Sequence, residues 1–164
     1  MQPMKRSNSR ALAHSLRDPV SCTSEDSIGF LIKCVLVSMS RIIERDMVPL
    51  DLTAMQWRPL MMVYSGKADT AAELARVLDV DTGAMTRTLD RLEGKGLLRR
   101  ERSQDDRRVV RLELTDAGRE VAAQCPAVLG RMLDHHLRDF KAEEVTALRA
   151  YLQRMLVNGA QPRA

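Results

Sequence analysis

The chain has 164 residues, which is enough for one domain, and its 45% hydrophobic and 29% charged residues are an ordinary balance for a soluble globular protein. Its three cysteines lack metal-ligand spacing and suit a reducing cytoplasm. No run of about 18 uncharged apolar residues exists and the basic N-terminus leads into no signal-peptide core, so we expect a cytoplasmic protein without membrane association.

The basic charge of the chain is concentrated in one segment. Residues 87–111 contain nine Arg or Lys and five Asp or Glu, an excess of four that equals the formal net charge of +4 for the whole chain. The segments on either side each contain equal numbers of acids and bases. A basic excess confined to one segment is typical of a surface that contacts phosphates.

The first 23 residues are polar and are predicted to form a flexible tail or arm, followed by a single domain over 24–164. Asp26 or Ser27 can cap a first helix, whose apolar residues recur at helical spacing up to about Asp46. Leu52-Thr53 begins a second helix, from Ala54 to about Tyr64.

Two short helices follow. Thr70-Ala-Ala-Glu73 is a capping-box sequence that opens a helix over 71–78, and Asp81 is a suitable N-cap for a helix over 82–93. The spacing predicts that the second of these helices buries Met85, Leu89 and Leu92. It leaves an outward face with Thr82, Gly83, Thr86, Arg87 and Asp90.

A β-hairpin is predicted next. Val110, Leu112 and Leu114 alternate with Arg111 and Glu113, the pattern of a half-buried strand, and residues 97–102 can form the opposing strand. Helix, turn, helix and basic hairpin are the layout of a winged helix. We therefore predict a mainly α fold with a small β-hairpin wing, and DNA binding as its function.

The helices at the two ends carry more apolar surface than a small winged-helix lobe can cover. We place the lobe at about 52–115 and the flanking helices at about 26–46 and 116–157. Such helices commonly pack against a second copy, so a homodimer is predicted. A self-contained helical core is the alternative.

Several motifs in this order resemble the MarR family of bacterial winged-helix regulators. The similarity runs from about Ile28 to Leu156. The motifs are Leu52-Thr53-x-x-Gln56-Trp57, Ala72-Glu73-Leu74-Ala75, Met85-Thr86-Arg87-x-Leu89-Asp90-Arg91-Leu92-x-x-Lys95-Gly96-Leu97, Asp106-Arg107-Arg108 and Leu112-x-Leu114-Thr115-x-x-Gly118. The resemblance implies a cytoplasmic, homodimeric transcriptional regulator, most often a repressor of a pseudo-palindromic operator in double-stranded DNA.

The resemblance also implies roles for individual residues. Asp106 is expected to brace the wing through a neighbouring arginine, and Arg108 to enter a minor groove, whose negative potential attracts a guanidinium. Arg87 on the recognition helix can pair with guanine or contact only phosphate. The full set of candidate DNA contacts is Thr82, Gly83, Thr86, Arg87, Arg91, Arg102, Ser103, Asp106, Arg107 and Arg108.

A ligand pocket is expected where the second helix meets both the lobe and the dimerisation helices. In the family this junction binds small phenolic or aromatic-acid effectors, and methionines with one arginine suit a planar aromatic carboxylate. Plain core packing is the alternative. The candidate lining residues are Met39, Trp57, Arg58, Met61 and Met62.

Other functions are weaker hypotheses. Cys34 on the first helix raises a cysteine-based redox sensor as one alternative, and a winged helix that contacts protein or RNA is another. His135 and His136 are adjacent on a helix and diverge by about 100°, so a metal site is not predicted. No catalytic motif or cofactor-binding loop is present in the sequence, and neither an enzyme nor a cofactor is expected.

Overall fold

A computed structural model describes residues 27–102 and 109–160, and the fold of this part is mainly α-helical with one antiparallel hairpin, as predicted. No helix within these ranges is long and apolar enough to cross a membrane. The elements are α1 (Ile28–Met47), a 3-10 turn (Val48–Leu50), α2 (Ala54–Tyr64), α3 (Ala71–Val77), α4 (Thr82–Gly94), β1 (Leu98–Arg102), β2 (Val110–Leu114), α5 (Asp116–His136) and α6 (Ala142–Ala160).

The helices begin at the cap residues that the sequence supplies. Ser27 Oγ accepts the Phe30 N–H at 3.2 Å, and Asp81 Oδ1 accepts the Ala84 N–H at 3.0 Å. The expected capping box at Thr70 is only half formed: its hydroxyl accepts the Glu73 N–H, but the Glu73 carboxylate accepts the N–H of Asp69. These side chains satisfy backbone donors that a helix leaves free in its first turn.

The core lies between the C-terminal end of α1, helices α2 to α4, the base of the hairpin and α5. On α4, Met85, Leu89 and Leu92 are buried, as their spacing predicts. Leu112 and Leu114 of β2 also face inward, but Val110 is 43% exposed, contrary to the expected alternation. Val110 pairs with exposed Arg102 at the outer end of the hairpin, which projects beyond the lobe that would cover it.

The terminal helices leave much of their apolar surface uncovered. Helix α1 buries only Ile43 and Met47, both near its C-terminal end, and α6 has no buried residue. The exposed hydrophobic side chains of these helices are Ile28, Phe30, Leu31, Ile32, Val35, Leu36, Val37, Leu148, Tyr151, Leu152, Met155, Leu156 and Val157. Large exposed apolar surface is typical of an interaction site. The division into a lobe and dimerisation helices stays a prediction.

One close contact joins α4, the hairpin and α5. Thr115 donates its N–H to Leu97 O at 3.3 Å and its hydroxyl to Gly96 O at 2.6 Å, while Thr115 Oγ1 accepts the Gly118 N–H at 3.0 Å. A Cβ atom on Gly118 would lie 1.8 Å from Leu97 O. Only glycine therefore allows α5 to begin against the backbone that follows α4. We call Gly96, Leu97, Thr115 and Gly118 the base clamp.

The base clamp predicts the effect of a single methyl group. Gly118→Ala should lower the free energy of unfolding by about 1–3 kcal/mol, because the backbone at Leu97 must move to admit the new atom. Urea unfolding followed by circular dichroism at one fixed protein concentration measures this change.

Gly130→Ala, also on α5, is the matched control. A Cβ at Gly130 meets nothing within 4 Å, so alanine there should raise stability by roughly 0.5–1 kcal/mol through its better helix propensity. Equal shifts in the two variants would contradict the clamp.

Candidate nucleic-acid interface

Helix α4 presents a polar face to solvent. Thr82, Gly83, Thr86 and Arg87 are exposed on this face, and Arg91 follows one turn after Arg87. The Thr86 hydroxyl donates to Thr82 O at 2.9 Å, which leaves its oxygen lone pairs as acceptors for an external donor. The face therefore combines hydroxyl and guanidinium groups, which can read base edges and contact phosphates.

Gly83 keeps open the space beside Arg87. A Cβ on Gly83 would lie 3.4 Å from Arg87 Nη1 and 3.1 Å from Asp81 Oδ1. The Arg87 guanidinium thus lies over the first turn of α4, next to the cap. A side chain at position 83 would compete with it for this surface.

The wing strands pair in the register Leu98–Leu114, Arg100–Leu112 and Arg102–Val110. Arg102 is exposed at the end of the hairpin that is furthest from the base clamp. The other wing candidates, Ser103, Asp106, Arg107 and Arg108, lie outside the described residues.

The hairpin is also attached to the start of α3. Leu112 donates its N–H to Asp69 O at 2.7 Å, and the Arg111 guanidinium pairs with the Asp69 carboxylate. Asp69 therefore binds β2 through both its backbone carbonyl and its side-chain carboxylate. This attachment and the base clamp hold β2 on two sides.

The fold uses much of the basic charge of the 87–111 segment internally. Four of its cations form ion pairs with acids of the fold: Lys95, Arg99, Arg100 and Arg111. Lys95 lies 3.1 Å from Asp51, and Arg99 lies 2.6 Å from Glu113. By contrast, Arg87, Arg91 and Arg102 form no ion pair with any other described residue. The charge count alone therefore overstates the number of cations that are available to phosphates.

Lys95 has a structural role that cannot be read from the charge pattern of the sequence. Its ammonium also donates to Gln56 Oε1 at 3.2 Å, and the same oxygen accepts the Thr53 N–H at 3.1 Å. The Gln56 side chain is buried. Lys95 thus connects the C-terminal end of α4 to the first turn of α2.

A cavity of about 230 Å³ lies where α1, α2 and α4 meet. Trp57 and Arg58 line it, and the Arg58 guanidinium carbon lies 5.3 Å from the Trp57 ring centroid. The other expected lining residues, Met39, Met61 and Met62, instead pack against the hydrophobic core. The remaining lining residues, which the sequence did not suggest, are Ser40, Ile43, Ala54, Met55, Pro59, Leu78, Val80 and Met85.

The cysteines and the histidine pair have different surroundings. Cys34 is exposed on α1, whereas Cys125 is buried and burial raises the pKa of its thiol. His136 contacts Met132 O through Nδ1 at 2.9 Å and Ser38 Oγ through Nε2 at 3.0 Å. Within residues 27–102 and 109–160 no group of acids, histidines and cysteines has the arrangement of a metal site.

Comparisons with known proteins agree with this architecture. A family model described as MarR family matches residues 50–109. The chain is 36% identical over 130 residues to the multiple antibiotic resistance protein MarR of Escherichia coli (strain K12), and the match covers 79% of this chain and 90% of that protein. The chain belongs to the MarR family. Members of this family are transcriptional regulators, not enzymes.

Two solved structures of E. coli MarR show the same fold. The reduced form has a TM-score of 0.70 and 35% identity, covering 79% of this chain and 96% of that one. A point mutant of E. coli MarR complexed with operator DNA has a TM-score of 0.69 and 34% identity, covering 79% and 93%. The mainly α fold with a β-hairpin wing is therefore that of a MarR winged-helix protein.

Proposed function

We propose that this MarR-family protein is a homodimeric repressor that binds a pseudo-palindromic operator in double-stranded DNA. One observation carries the proposal: α4 has an exposed polar face, and the hairpin is held beside it. A relative with the same fold has been solved in complex with operator DNA. Arg87, Arg91 and Arg102 supply cations that form no ion pair with a described acid. Both elements can therefore contact one duplex.

The positions on α4 and β1 support part of the proposed set of contacts, and the resemblance to the family supports the rest. Helix α4 enters a major groove with Thr82, Gly83, Thr86 and Arg87 toward the bases, and Arg91 and Arg102 contact phosphates. Ser103 and Arg107, which lie outside the described residues, are proposed to add contacts to the DNA. Arg108 enters the adjacent minor groove, and Asp106 braces the wing by pairing with a neighbouring arginine.

The second copy covers the terminal helices. The exposed apolar side chains of α1 and α6 form the surface that a two-fold partner buries, because a two-fold interface uses the same patch on both subunits. A dimer places two α4 helices toward two successive major grooves. The operator must then have two half-sites related by the same axis.

A direct test uses purified protein and the promoter DNA next to its gene. Light scattering should give twice the chain mass of 18.5 kDa. Fluorescence anisotropy should show tight binding to a duplex with half-sites about one helical turn, roughly 34–36 Å, apart, and weaker binding when about five base pairs are inserted between them. A monomer, or binding that is insensitive to the insertion, would contradict the proposal.

A small aromatic carboxylate relieves repression by binding the cavity at the α1, α2 and α4 junction. Trp57 and other apolar side chains supply a slot, and Arg58 supplies one cation for the carboxylate. The cavity is lined by Ser40 of α1 and Met85 of α4, so a ligand there touches both a dimerisation helix and the recognition helix. It releases DNA only if it binds the DNA-incompetent arrangement more tightly.

Reciprocity makes the effector proposal testable. Operator DNA should lower the affinity of the protein for the aromatic acid by the same factor by which the acid lowers its affinity for the operator, typically about 5–150-fold. Trp57 fluorescence measures binding of the acid, and fluorescence anisotropy measures binding of the DNA. Arg58→Ala should abolish the effect of the acid on DNA affinity and the effect of DNA on acid affinity.

Arg138→Ala removes an exposed arginine that does not line the cavity and serves as the control. An acid that releases DNA equally well from the Arg58→Ala variant would place the effector elsewhere.

A further inference from the structure

Arg100 of β1 is joined to two acids of α4. Its Nη2 donates to Asp90 Oδ1 at 2.6 Å, and its Nη1 donates to Glu93 Oε2. The Arg100 backbone N–H also donates to Glu93 Oε1 at 3.3 Å. Asp90 and Glu93 are three residues apart and therefore neighbours on the helix surface. We call these three residues the wing tie.

The wing tie is a geometric constraint as well as an attraction. The Arg100 side chain is only 29% exposed. Burial opposes its charge, but the hydrogen bond that it donates to Asp90 and the negative charge of Glu93 outweigh burial and raise the pKa of the guanidinium. A planar guanidinium held at two nitrogens by two carboxylates cannot rotate without breaking a bond.

The position of Arg100 in β1 lets the wing tie restrain the orientation of the wing. Arg100 lies between Leu98, which is buried at the base of the hairpin, and Arg102, which is exposed at the outer end. The base clamp fixes the hairpin at its base, and Asp69 attaches β2 to the start of α3. The wing tie attaches the other strand, β1, to α4 itself, two residues beyond Leu98. It therefore fixes the hairpin relative to the recognition helix.

We propose that Arg100, Asp90 and Glu93 are positioning residues that fix the angle between the wing and α4. The inference rests on the proposed DNA binding by these two elements. A fixed angle lets the wing reach its groove when α4 is already seated in the major groove, without a cost for ordering the wing during binding. Arg100 itself contacts no phosphate, because its guanidinium is occupied by the two acids.

This role and simple electrostatics predict opposite signs for the same variant. Glu93→Ala removes an acid close to the DNA-binding face, so long-range electrostatics alone should tighten binding. It also removes two of the three wing-tie contacts, so the positioning role predicts weaker binding. Glu101→Ala is the matched control, because Glu101 is an acid of the same hairpin that pairs with Arg99 and not with α4.

The experiment measures affinity for two duplexes by anisotropy, one with both half-sites and their outer flanks and one without the flanks that the wing reaches. Glu93→Ala should bind the long duplex about 5–30-fold more weakly than the unaltered protein does. It should bind the short duplex equally or more tightly. Glu101→Ala should bind both duplexes equally or more tightly.

Arg100→Lys should behave like Glu93→Ala on both duplexes, since an ammonium cannot bridge two carboxylates in the same plane. Equal weakening on both duplexes would show a general structural defect and overturn the proposal, as would unchanged or tighter binding of Glu93→Ala to the long duplex. Failure of the unaltered protein to bind either duplex would instead contradict the proposed function.

Discussion

The contact of Gly118 with the Leu97 carbonyl is the constraint on which the rest of the structure depends. It places the start of α5 directly on the backbone between α4 and β1, and Thr115 closes the same point with bonds to Gly96 and Leu97. Three elements with different tasks therefore meet at one rigid junction. A displacement of α5, which belongs to the proposed dimer region, must move the end of the recognition helix and the base of the wing together.

The basic segment has two roles that composition does not separate. Some of its cations hold the DNA-binding elements in place: Arg111 attaches the hairpin to α3, Lys95 attaches α4 to α2, and Arg100 attaches the hairpin to α4. Others, such as Arg87, Arg91 and Arg102, remain on the surface and are available to phosphates. In the proposed complex, the affinity of the second set for phosphates depends on the geometry that the first set maintains.

Local features were predictable from the sequence and distant partners were not. The caps Ser27, Asp81 and Thr115 and the buried face of α4 follow from short-range chemistry and from helical periodicity. Arg111 and Asp69 are 42 residues apart, and nothing in the local pattern selects one arginine of the hairpin over the next. The cavity was placed near the correct junction through Trp57 and Arg58, but Ser40 and Val80 line it only because packing brings distant helices together.

The division of the cations into structural and DNA-contacting sets is the central claim, and the salt dependence of operator affinity tests it most directly. The slope of log K against log salt is negative, and each phosphate contact adds about 0.9 to its magnitude, so Arg91→Gln should reduce that magnitude by about 1.8 for a dimer. The double variant Arg99→Gln, Glu113→Gln removes a matched ion pair of the hairpin and should leave the slope unchanged. An equal reduction in the magnitude of the slope in both variants would contradict the account.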